Sequence, residues 1–126
     1  MKRMAAVLAA GALATNVVMA GAFDECNLRG DQAAVRKCLL DADREAQEQL
    51  NKVEGELARK ARELDVATGH AVAAPALARS MRDFGAYRKA QCDFVRAMHA
   101  SGARAEQSQQ GCMVDMTRRR IRDLQN

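Results

Sequence analysis

Nine apolar or small residues recur in steps of three and four along one stretch of this chain: Val35, Leu39, Ala42, Ala46, Leu50, Val53, Leu57, Ala61 and Leu64. Such spacing keeps a single stripe on one face of a helix. It predicts one long amphipathic helix over about Asp31 to Val66, with Asp31 as its N-cap. The other faces are charged and read as solvated, with Glu48/Lys52 and Glu56/Lys60 at favourable i,i+4 spacing. Thr68-Gly69-His70 and Pro75 end the pattern.

Two further helical patterns follow. The second spans about Ala76 to Ala100, with Leu77, Met81, Phe84, Tyr87, Arg88, Cys92, Val95 and Met98 along its expected inner side. Ser101-Gly102 makes the next turn. The third spans about Ala105 to Leu124, through Cys112, Met113, Met116, Arg120 and Leu124. Gly111 inside it costs about 1 kcal/mol relative to Ala. The expected fold is all-α: a long helix followed by an antiparallel helical hairpin. Composition agrees, because Pro occurs once and aromatic residues make up 3% of the chain, with no Trp. An aliphatic core of this kind walls off a deep pocket poorly. Nucleic-acid binding by base stacking is excluded for want of exposed rings.

The first 22 residues read as an export signal and residues 23–126 as a single domain. Met1-Lys2-Arg3 is a short basic start, Met4 to Ala14 is apolar, and Ala20-Gly21-Ala22 fits an A-x-A cleavage pattern, with the cut expected near Phe23. A membrane anchor is the competing reading, but Thr15 and Asn16 interrupt the apolar run. The expected product is periplasmic or secreted, with no membrane anchor after cleavage. Without Lys2 and Arg3, 18 basic residues face 16 acidic ones, and the formal charge of +4 falls to +2. That balance makes no case for a nucleic-acid partner.

Four cysteines in an exported chain of this size imply two disulfides. Cys92 and Cys112 each lie ten residues from Gly102, so an antiparallel hairpin brings them level. Cys26 and Cys38 flank the expected N-cap, so the entry segment can fold back on the first helix. The rival pair Cys38–Cys92 fails on helix length, since about 50 Å of the first helix would have to match about 31 Å of the second. The expected bridges are therefore Cys26–Cys38 and Cys92–Cys112. No Cys-x-x-Cys or His-x-x-x-His occurs, so neither a metal site nor a cofactor is expected, and His70 and His99 read as surface residues. The same lengths predict that the N-terminal end of the long helix projects beyond the hairpin tip, as a surface for a protein partner.

The run Phe84-Gly85-Ala86-Tyr87-Arg88-Lys89-Ala90-Gln91-Cys92 resembles the Trp-x-x-aromatic-Arg-x-x-x-Cys signature of the lysozyme inhibitor LprI N-terminal-domain family. Cys112, Thr117, Arg120 and Leu124 match that family's Cys-x4-Thr-x-x-Arg-x-x-x-Leu close. Cys26, Cys38 and Leu50-Asn51 stand where it carries two cysteines and Leu-Asn. The resemblance covers Asp24 to Leu124. Phe84 replaces the usual Trp and Met81 a frequent Gln, which keeps an apolar ring but loses the indole N–H.

The resemblance implies an exported, disulfide-stapled helical domain associated with lysozyme inhibition, whose partner is a lysozyme or another envelope protein. An envelope adaptor without catalysis is the alternative. Arginine suits a carboxylate pair in a sugar-cleaving cleft, and Arg118 and Arg122, one turn apart, are the candidate contacts, with a merely solvated basic face as the plainer reading of the two. A charge of +2 supplies no long-range steering towards a cationic lysozyme. Arg88 and Arg120 point towards the helix seam, where packing and ion pairing are expected, with Asp43 and Asp83 as candidate partners. Tyr87 reads as core. No nucleophile–base pairing is visible, so an enzyme is not expected.

Overall fold

The computed structural model describes residues 21–126. Apart from Gly21 and Ala22, the expected export signal lies outside the described residues. Four helices follow in order: α1 (Ala22–Asn27), α2 (Gln32–Thr68), α3 (Ala73–Met98) and α4 (Ala103–Gln125). The long helix and the hairpin are as expected, and both disulfides form as expected, each with a Cα–Cα distance of 5.6 Å. The helix α1 was not foreseen. Six residues carry too little periodicity to register, and a helix that short persists only by docking.

The N-terminus of α2 is capped as predicted, with Asp31 Oδ1 accepting the Ala34 N–H at 2.8 Å. Its stripe is buried from Val35 to Leu50 and fades beyond Leu57. The expected Glu48/Lys52 and Glu56/Lys60 pairs are not within ion-pair distance; Lys37–Asp41 and Arg59–Glu63 pair on the same helix instead. Solvated side chains on a helix surface choose among several partners of similar energy, so spacing alone does not select one.

At the far end of α2, a carboxylate the sequence pattern did not single out builds the turn. Asp65 accepts the backbone N–H groups of Val72, Ala73 and Ala74 at 3.1, 2.8 and 2.9 Å. These are the orphan donors at the start of α3. Pro75, next in line, has no N–H to satisfy, so it opens this helix rather than only ending the previous one. The Ala74 bond first, then those of Ala73 and Val72, hold the Asp65 carboxyl below its ordinary value of 3.8. A depressed folded-state value stabilises above the ordinary value, and that stabilisation is lost as pH falls through the folded one. The melting temperature of Asp65→Ala is therefore expected to lie below wild type at neutral pH, with the gap closing in acid.

The most extensive helix interface is α2 against α4, which run parallel, with α3 antiparallel to both. The buried stripe of α4 is Gln107, Gly111, Val114, Thr117 and Ile121. The expected set of Cys112, Met113, Met116, Arg120 and Leu124 is only partly buried and forms a flank of it. The reason is that α4 is packed on three sides, by α1, α2 and α3, and so buries a wide arc. On α3 only Cys92 is fully buried. Tyr87 and Met98, expected inside, are 61% and 69% exposed. Tyr87 lies about 60° around the helix from Phe84 and about 100° from Arg88, and Met98 is the last residue of α3.

Gly111 is where α1 meets α4. A Cβ there would stand 2.8 Å from Phe23 Cβ and 3.1 Å from its backbone nitrogen. The helix-propensity cost of this glycine permits α1 to dock. Gly111→Ala is expected to destabilise by about 1–3 kcal/mol through overpacking against a backbone that cannot rotate away. Gly55 and Gly85, with open space around them, should gain roughly 0.5–1 kcal/mol from the same change. Urea denaturation of the three variants tests the contrast.

The expected overhang is at the wrong end. Gln107 Nε2, one turn into α4, donates to Gln32 Oε1 at 3.0 Å, so the start of α2 sits level with the start of α4 and is flanked by α1. The other end projects instead: the C-terminus of α4 reaches Val53, Glu56, Leu57 and Lys60. Beyond that point, among the described residues, α2 has only α3 beside it. No residue between Leu57 and Ser80 is fully buried, and Leu64, Val66 and Val72 are exposed. The helix lengths match those the spacing predicts; the reversal comes from α1 and the inter-helix register, which lengths do not encode.

Candidate functional site

The two motif arginines occupy the seam between helices. Arg88, on α3, donates from Nη2 to Asp43 Oδ1 at 2.8 Å and from Nε to the Met113 carbonyl at 3.2 Å. Its Nη1 also reaches Gln47 Oε1 at 3.5 Å. One guanidinium thus ties α2, α3 and α4 together, with Asp43 as the anticipated partner. Five fixed donors on a planar group suit it to such a junction.

Arg120 makes a second junction one bundle layer away. Its Nη2 donates to Ser80 Oγ at 2.9 Å, and its guanidinium carbon lies 5.3 Å from the Phe84 ring centroid. Its charge partner is Glu54, not Asp83: Nε and Glu54 Oε1 are 3.6 Å apart, and neither atom has a hydrogen bond. The separation allows charge attraction but is too long for an N–H···O bond. Glu54 was missed because the sequence shows it only as one more acidic residue on a charged helix.

The other motif residues divide into packing and surface. Leu50 is buried, and Asn51 accepts a bond from Gln47 Nε2 at 3.2 Å on the exposed side. Thr117 is fully buried and donates back to the Met113 carbonyl at 2.9 Å, so Met113 O receives both Thr117 and Arg88. Leu124 packs near Val53 and Leu57. Cys92 and Cys112 lie beside Met116, whose sulfur is 3.7 Å from Cys92 Sγ. At the open edge of α3 and α4, Asp93 binds Lys89 and Gln109, and the Lys89 ammonium first of all holds its carboxyl below the ordinary value.

The surface candidates lie on different footings. Arg118 pairs with Glu25 of α1, its Nη1 at 3.1 and 3.3 Å from the two carboxylate oxygens. It borders a shallow groove of about 460 Å³ that Arg29, Lys37, Asp41 and Glu45 also line. The Arg122 side chain is exposed and makes no hydrogen bond or ion pair with a described residue. A second open groove, about 510 Å³, has Phe84 and Arg120 along it with Tyr87, Arg79 and Asp83. Among the described residues no three His, Cys, Asp or Glu side chains are grouped as for a metal ion. No helix among them is long and apolar enough to cross a membrane.

Two arginine junctions thus tie the helices together, with shallow grooves beside them. Comparison with known proteins finds no matching curated protein and no matching solved structure. A family described as lysozyme inhibitor LprI matches residues 26–124, which takes in all four cysteines, both seam arginines and Leu124. The chain belongs to the lysozyme inhibitor LprI family.

Proposed function

We propose that the chain is exported and acts without catalysis, as a protein that binds and inhibits a lysozyme-type peptidoglycan hydrolase. The family match over residues 26–124 carries this reading. The rigid body supports it: two disulfides and two arginine junctions hold the helices in place, and preorganisation reduces the ordering cost of binding. Arg122, exposed and unpaired among the described residues, and Arg118, tethered to Glu25 but about one-third exposed, form the basic contact. An arginine entering a hydrolase cleft meets carboxylates with matching bidentate geometry.

The test is lysis of cell walls by lysozymes of several types, with the purified protein in micromolar excess. Slowed lysis is the expected result, and no slowing for any type removes the inhibitor reading. Arg122→Glu breaks no side-chain hydrogen bond or ion pair with a described residue and is expected to weaken inhibition about tenfold or more. Unchanged inhibition by that variant would move the contact to another face. The adaptor reading draws on the projecting end of α2 and α3, where Leu64, Val66 and Val72 are exposed. Capture of an envelope protein that is lost on Val66→Asp, together with no effect on lysis, is the result that would favour it.

A further inference from the structure

Gly21 and Ala22 lie at the edge of the expected export signal, yet both belong to the folded body. Ala22 is fully buried and opens α1, and its N–H donates to Asp115 Oδ1 of α4 at 2.9 Å. The Gly21 carbonyl accepts the first bond of that helix from the Glu25 N–H at 3.0 Å. A Cβ on Gly21 would stand 2.7 Å from Asp115 Oδ2. Gly21 has φ −72° and ψ 164°, a conformation open to any residue. A side chain at Gly21 would therefore have to push the Asp115 carboxylate aside, while the backbone conformation itself suits any residue. Asp115 forms no ion pair with a described residue, and Oδ2 receives no hydrogen bond from one.

The sequence offers two cleavage registers. Ala20-Gly21-Ala22 directs a cut after Ala22, whereas Val18-Met19-Ala20 places short residues at the same relative positions for a cut after Ala20. The first would delete a buried residue, the N-cap of α1 and the bond to Asp115. We propose that export processing cuts between Ala20 and Gly21, and that the new α-ammonium of Gly21 pairs with Asp115. Hydrolysis adds water across that peptide bond: Ala20 leaves with a carboxylate and Gly21 keeps the nitrogen, protonated at neutral pH. The carboxylate that already receives Ala22 then faces a cation on the neighbouring residue, and the processed terminus locks α1 onto α4.

The inference rests on the export reading, and one experiment separates the two. The full-length precursor is expressed in a secreting bacterial host, and the product is characterised by intact mass and N-terminal sequencing. A chain beginning at Gly21 is expected. A chain beginning at Phe23 overturns this proposal and leaves export standing, and a product still carrying Met1 overturns both. The ion pair is tested on the exported product by acetylating its α-amine, which removes the charge and keeps the residue. Acetylation should lower the melting temperature of the wild-type product and leave Asp115→Asn unchanged. No effect in wild type, or an equal effect in both, overturns the pairing.

Discussion

Reduction of both disulfides is expected to abolish cooperative folding of this domain at physiological temperature. The core is thin: the largest fully buried side chains are Leu39, Val114, Thr117, Cys26 and Cys92, so the bridges supply two of the five. The loops they close span 12 and 20 residues, and restriction of the unfolded chain makes each worth about 3 kcal/mol. Together they contribute about 6 kcal/mol against a total of about 5–15 kcal/mol for a domain of this size. The two bridges also do different structural work. Cys26–Cys38 ties α1 to α2, so its loss releases the helix that covers Gly111, while Cys92–Cys112 ties α3 to α4. Thermal melts followed by helical circular dichroism, with and without reductant, provide the measurement. An unchanged cooperative melt under full reduction would show that helix packing alone suffices.

The second large effect is expected at the Glu54–Arg120 pair. The side chains are only 9% and 15% exposed, so removing one partner leaves the other charge buried. Glu54→Ala is expected to cost about 3 kcal/mol or more. Arg120 would retain Ser80 and the Phe84 ring, but no carboxylate. Replacing both charges by Leu should cost clearly less than the single change, because a buried pair gains little over well-packed apolar groups. Denaturant midpoints of Glu54→Leu, Arg120→Leu and the double variant that combines them form the required cycle. A double variant that loses as much as the sum of the singles would show that the two residues act independently.

The Arg88 junction illustrates how far spacing reaches. Its place four residues before Cys92 put it at the seam, and Asp43 stood among the acidic residues within reach. Arg120 was placed by the same reasoning, but its true partner, Glu54, sits among many similar carboxylates on α2. Only the inter-helix register brings one of them to 3.6 Å. Asp65 shows the same limit at a turn. Nothing in its flanking residues marks it as the cap of the next helix until the chain folds back and presents three bare N–H groups.

The amino-acid sequence by itself determined the three long helices, the length of the longest, the Asp31 cap and both disulfide pairs. These are local or depend on counting residues from a turn, and periodicity records them directly. Tertiary structure alone decided α1, the buried arc of α4, the exposure of Tyr87 and the end at which the long helix projects. Each depends on which face meets which neighbour and at what height, and helix propensity and spacing are nearly indifferent to both. Gly111 joins the two levels: a residue unfavourable to its own helix is retained in the fold because Phe23 packs where its side chain would be.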